Sequence, residues 1–440
     1  MPETYPYAGA QTRLVTEDEY GVTPASPVFF QLAAMGLVLS PVIETDEFAP
    51  PGYLIPSILL PNDDYATADA EGRLGYNDLP FVFSSLMGVP TINDLGGGAI
   101  EWIWGPWDGR TPLNPVSYTV DSGYPDSAER MTGFTFNDLT ISGGRSDGFD
   151  VSSSGFGKSL VARSVLGGLT LERQTISVTG TVSGGTYTIT WNGQTTAPLA
   201  HNANAATIQT ALEALGFIKP GDVVVGGGAL PTTPATVDFT GRYAGVNVSQ
   251  MTINSGSLTG GGSYSVATTT PGADAVVNIA PVPAGALQGN LYLDTSWANL
   301  GMTKLKYGFN AEFSMGERMQ RGRPINRDRD SDFLIDTTNQ EHTFAIALGK
   351  NAVEQLQLDR LRQGIQVFPR FEWIGNEIAS SGEDFTLQID MCGPWREVGG
   401  LEDTDGAATR EYTGRIMPDG TTGNALQIRM ICETDSLNPS

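Results

Sequence analysis

Between Arg173 and Pro281 the chain almost stops using charge: three Lys/Arg and four Asp/Glu occupy 109 residues, against 22 and 45 in the flanking segments. One continuous domain with one solvated surface would not change character so abruptly and then change back. The pattern predicts a Gly/Thr/Ser-rich module of net charge −1 set into an acidic body of net charge −23. The expected division is 1–172 and 282–440 for the two parts of the body, with 173–281 as the insert.

At 440 residues the chain has room for two or three domains. Its 54 glycines, 27 prolines and low charged fraction of 17% suit short strands joined by tight turns more than long helices. The expected class is mainly β. The opening MPETYPYAGA lacks the apolar core of a secretory signal, so no leader is expected. The longest apolar run, Val28 to Ile43, is broken by Gln31, Ser40 and Pro41 and falls short of the roughly 20 residues a spanning helix needs. No membrane anchor is therefore expected.

A net charge of −24 argues against tight nucleic-acid binding, which depends on Lys and Arg displacing counterions from phosphates. It is compatible with a surface along which DNA slides without sticking, because repulsion prevents trapping. A generally solvated acidic surface explains the same number.

Periodicity locates the elements. Glu44 to Gly72 reads as a long polar, Pro-rich loop, too long for a simple hairpin, whose apolar residues (Tyr53, Leu54, Ile55, Ile58, Leu59, Leu60) point to a partner contact. Tyr76 to Gly88 predicts a short helix with Asn77 or Asp78 as cap, Pro80 in the first turn and Gly88 as stop, packed beneath a sheet. Ile100, Trp102 and Trp104 alternate as a strand does, and so do Phe134 and Phe136, with a bulge expected near Asn137 and Asp138. The insert predicts strands around one helix, Ala205 to Leu215, and leaves at Pro281 and Pro283. In the second body segment Leu305, Tyr307, Phe309, Ala311, Phe313 and Met315 should share one strand face. Asn351 to Gln363 should be an amphipathic helix capped by Asn351 and stopped by Gly364, followed by three strands, IQVFPRFEW, DFTLQIDM and ALQIRMI.

Chemistry-bearing motifs are sparse. Two histidines, His201 and His342, give little material for a triad or a His-rich metal site. Ser152 to Ser159 ends in Gly157, Lys158 and Ser159 like a phosphate-binding loop, but the first glycine of that pattern falls on Ser152. A turn with an exposed lysine is the simpler reading. Asp328, Asp330 and Asp332 have the spacing of a calcium loop, yet Phe333 stands at its glycine and Asn339 at its closing carboxylate. Glu317 to Asp332 mixes five arginines with acids, which reads as a solvated hairpin tip or as a charge-complementary contact between identical subunits. The 49 acids always offer some carboxylate pair for glycoside hydrolysis, but no local pattern selects one. Cys392 and Cys432 are expected on different faces and unbridged. No catalytic, cofactor or metal residue is singled out.

In order along the chain, EGRLGYNDLPFVFSSLMG, MTGFTFNDLTISGGRSDGFDVSSSGFGKSL, the helix NAVEQLQLDRLRQG and the closing strands resemble the major tail tube proteins of long-tailed, siphovirus-type bacteriophages. The insert, through GTYTITWNGQTTAPL and AATIQTALEALG, resembles small Gly/Thr-rich modules of phage structural and surface proteins. The resemblance implies a β-sandwich or barrel-like subunit with a flanking α-helix, plus an inserted small α+β module displayed outside. It implies homo-hexameric rings stacked into a tube, contact with terminator and tape measure proteins, and passage of viral double-stranded DNA without specific binding. It places the protein in the virion, and in the host cytoplasm during assembly, and implies neither catalysis nor a cofactor. The competing expectation is a non-assembling decoration or host-attachment protein whose insert binds cell-surface glycan.

Overall fold

Seven strands build the sheet that organises the body: β1 Met35–Phe48, β2 Ile58–Arg73, β3 Leu139–Gly144, β4 Gly148–Gly157, β5 Gly308–Met315, β6 His342–Gly349 and β7 Ala407–Arg415. They lie side by side in the order β1-β2-β4-β3-β5-β6-β7, every neighbouring pair antiparallel. The computed structural model describes residues 11–24, 27–51, 55, 58–124, 127–144, 148–163, 170–216, 218–240, 243, 248–272, 275–322, 333–337, 340–379 and 381–437. The fold is mainly β.

Two further sheets close the body. One runs Thr91–Gly96, Ala99–Trp107, Leu426–Cys432, Asp384–Met391, Gln366–Glu377, Gly289–Asp294. The other runs Val161–Arg163, Ser127–Phe136, Tyr118–Tyr124, Gln11–Thr16, Val28–Gln31, Ala275–Asn278, the last pair being parallel. Helix α1, Leu79–Met87, is buried at every residue, as a helix apolar all round must be. Phe83 meets Trp104 at 5.5 Å and Phe81 meets Tyr118 at 6.2 Å. Each such ring contributes about 1.5–3 kcal/mol by burial, and Phe83→Ala would cost about 3–5 kcal/mol.

The helix starts at Leu79, and Asp78 does not cap it with its side chain. That carboxylate instead accepts the backbone N–H groups of Ala33, Ala34 and Met35 at 3.2, 2.6 and 3.1 Å, clamping the turn from which β1 departs. Burial pushes Asp78 up to about 6 even though the three N–H groups favour its charged form. Gly88 does end the helix, at φ 81°. The expected bulge is present: the N–H groups of Asn137 and Asp138 both point at the carbonyl of Ser154, at 2.7 and 3.4 Å.

Three expectations are corrected. Glu44 to Gly72 is not a loop: β1 and β2 form one hairpin paired from Met35 opposite Gly72 to Phe48 opposite Ile58. Proline misled the reading: Pro50 and Pro51 lie beyond the last pair, Phe48 opposite Ile58, and Pro61 sits opposite Thr45 at the register shift after Glu44, places where a strand tolerates a residue without an N–H. The strand around Phe313 begins only at Gly308, with a register shift before Ala311, so Leu305 and Tyr307 lie outside it and Tyr307 is exposed. The chain's end holds more than three strands: Gly393–Val398, Glu402–Thr404 and β7 stand between Met391 and Leu426. Their Gly, Glu and Thr content hid the alternation.

The charge-poor segment has its own hydrophobic cluster, including Ile176, Trp191, Ile208 and Phe239, and its own two four-stranded sheets with helix α2, Ala205–Glu213, capped by Asn204. Its ends meet: buried Glu172 accepts from Gly272 N–H at 3.4 Å and from Val248 N–H at 2.9 Å. Ala275–Asn278 and Ile279, counted with the insert on composition, join the body sheet and the body cluster.

Candidate assembly surfaces

The hairpin of β1 and β2 has a rooted half and a free half. Near the body, β2 pairs with β4 from Ala66 to Arg73, and Ala66, Ala68 and Ala70 are buried beside Leu37. Beyond Pro41 opposite Ala66, the ribbon continues for Val42 to Phe48 and its return strand alone, about 23 Å at 3.3 Å per residue. Here the alternation no longer buries a face: Ile43, Phe48, Ile58, Leu59 and Leu60 are 44–65% exposed. Pro41 to Gly72 contains seven carboxylates and no Lys or Arg. The free half is an acidic arm with an apolar tip.

One strand outside the sheet holds the arm's root. Met319–Gly322, inside the arginine-rich run, pairs antiparallel with Phe333–Asp336 just after it, and sends Arg321 onto the arm. The Arg321 guanidinium lies 3.3 Å from the centre of the Tyr65 ring and bonds buried Asp63.

The seven-stranded sheet has an inner and an outer face. Val151, Ile141, Phe313 and Phe344 follow one another across the strands on the inner face, where Gly414 makes room for the Phe344 ring: a Cβ there would stand 2.2 Å from it. The next row, Glu71, Ser152, Thr140, Ser314 and Thr343, points the other way. This outer face carries the exposed carboxylates Asp69, Glu71, Asp150, Glu312 and Glu411 among serines and threonines, with the guanidiniums of Arg73 and Arg415 on it and that of Arg321 over Tyr65 at its arm end. Arg73 pairs with Asp150 at 3.0 Å, both well exposed, a bond of little energetic weight. Partial burial, then the charge of Glu411, raises the pKa of Glu312. Acids are crowded on a face whose hydroxyls offer no counter-charge.

Helix α3, Ala352–Gln363, is capped as expected, Asn351 accepting from Val353 and Glu354 N–H and Gly364 stopping it at φ 65°. Its sidedness differs from a simple amphipathic helix. The fully buried residues are Glu354, bonded to Lys350, Tyr412 and Arg410, and Gln357, which accepts from Trp395. Val353 and Leu356 face outward, 44% and 50% exposed. The spacing of leucines could not reveal this, because Leu358 and Leu361 do pack on the body cluster.

Among the described residues the motif residues do not come together. Ser152 to Gly157 lie within strand β4, so their N–H groups serve a ladder and cradle no phosphate, and Lys158 stands 5.6 Å over the Tyr20 ring. His201 stands in the turn that follows the insert's strand Leu199–Ala200, its carbonyl accepting from Tyr264. His342 is buried at the start of β6, accepting from Gly316 N–H at Nδ1 and facing Gln340 at Nε2. Asp328, Asp330, Asp332 and Asn339 lie outside the described residues. Among the described residues no group of three His, Cys, Asp or Glu is arranged to hold a metal, and no helix is long and apolar enough to cross a membrane. Cys392 and Cys432 are buried free thiols. Compared with known proteins, the chain matches no family model and no curated protein sequence.

Proposed function

We propose that this chain is a structural subunit that assembles with itself into stacked rings, as in the tail tubes of long-tailed bacteriophages, and that the tube conducts double-stranded DNA. The arm carries the reading. An isolated two-stranded ribbon is marginally stable in water, and an exposed apolar tip on an open strand edge is an aggregation hazard unless a partner covers it. A neighbouring copy removes both costs at once. The outer sheet face supports the second half of the proposal: a wall of hydroxyls and surplus carboxylates repels phosphate along its length, so DNA passes without being trapped. In this reading the rings are hexameric, the charge-poor module decorates the outside, terminator and tape measure proteins meet the tube's end and lumen, and the chain performs no catalysis. The assembled protein belongs to the virion, after assembly in the host cytoplasm.

Negative-stain electron microscopy of the full chain at rising concentration tests it. Rings or tubes with lateral knobs are expected. Monomers persisting at high concentration would overturn the reading and turn attention to glycan binding by the insert.

A further inference from the structure

The arm needs a seat, and the same sheet offers one at its other end. Between α3 and the segment before β5 lies a groove of 320 Å³ whose apolar walls include Leu305, Tyr307, Val353 and Leu356. Three cations border it, Lys304, Lys306 and Arg360. Among the described residues none of the three forms an ion pair, although acids outnumber bases by 49 to 25 in the chain. Lys304 has one hydrogen bond, to Asn290. Burial lowers the pKa of Arg360. Unpaired cations around exposed apolar side chains complement the arm, where carboxylates surround exposed apolar side chains.

Register places the two features on opposite ends of the sheet. One row runs Arg73, Asp150, Ser142, Glu312, Ala345 across five strands. From that row the arm leaves past the end marked by Met315 and His342, because Ala66 lies opposite Gly157 on that side. The groove lies past the end marked by Gly308 and Leu348. An arm pointing away from its own groove can fill only another molecule's. Two different patches at opposite ends make a heterologous contact, which repeats head to tail instead of closing as a dimer.

We infer that the α3 groove is the receptor for the arm tip of a second copy of this chain, with Phe48, Leu59 or Leu60 against Leu356 and Tyr307, and Glu44, Asp46 and Glu47 facing Lys304, Lys306 and Arg360. The inference deepens the tube reading by naming the surface that the arm occupies, and rests on it for the order of stacking alone. The charge match sets direction and register, while the apolar tip supplies most of the burial.

Cysteine cross-linking in the full chain separates this contact from tube formation. Ala49→Cys beside the tip and Thr303→Cys at the groove leave the contact residues intact, and the two native thiols are buried. Under mild oxidation the double variant should form a ladder of disulfide-linked chains, and neither single variant should. Lys304→Glu with Lys306→Glu should reduce cross-linking at least tenfold, and adding Glu44→Lys with Glu47→Lys should restore it. A ladder without tubes keeps the docking and sinks the tube reading; tubes without a ladder do the reverse. Dimers of the single Ala49→Cys variant, meaning arm against arm, or a ladder indifferent to charge reversal, would overturn the inference.

Discussion

Arg321 donates to Asp63 across 2.7 Å, joining a strand that follows β5 to the root of the arm 258 residues earlier in the chain. Asp63 is 2% exposed, so the pair works in a setting where charge-assisted bonds count for more than on an open surface. It holds the point where the ribbon leaves its neighbour β4.

Arg321→Ala should therefore loosen the arm more than the body. Loss of a bond to a buried charge costs about 1.5–3 kcal/mol, which corresponds to roughly ten- to hundredfold faster amide exchange in residues 58–65. Exchange in α1 should stay as it is. Unchanged exchange in the arm would show that Arg321 does not prop it.

Removing the arm itself should abolish polymerisation and spare folding. None of the described residues that deletion of Phe48 to Asn62 removes is buried, so sedimentation should report folded, soluble subunits. Normal tubes from this deletion would remove the basis of the proposed assembly.

Charge reversal on the outer sheet face should convert a sliding surface into a sticky one. Asp69→Lys, Glu71→Lys and Glu312→Lys together should leave assembly intact and make assembled protein co-sediment with double-stranded DNA, with log affinity falling against log salt at a slope of roughly −3. The unaltered protein should not co-sediment. If the triple variant ignores DNA, this face does not line the path.

His342 should set part of the acid limb of stability. Burial first, then the charges of Arg318 and Arg415, push its pKa down to about 4 from an ordinary 6.5. Its Nδ1 must stay unprotonated to accept from Gly316 N–H. A depressed histidine is neutral in the fold and protonates readily when unfolded, so its stabilising effect is complete above pH 6.5 and is lost as pH falls towards 4. The loss is at most about 3 kcal/mol. His342→Gln should flatten urea-measured stability between those pH values, and a curve parallel to the parent's would exclude the role.

Local chemistry was enough to read α1 and α3 with their glycine stops and the bulge at Asn137 and Asp138, because each is written in neighbouring residues. Mainly β followed from composition for the same reason. What tertiary structure alone decided is which polar stretches would be strands. The arm, β7 and Glu402–Thr404 carry no clean alternation, since strands solvated on one or both faces need no apolar period and are specified by the strand beside them. The candidate surfaces share that origin. Glu71, Ser152 and Glu312 become one face, and Lys304, Lys306 and Arg360 one rim, only when antiparallel register brings together residues far apart in the chain.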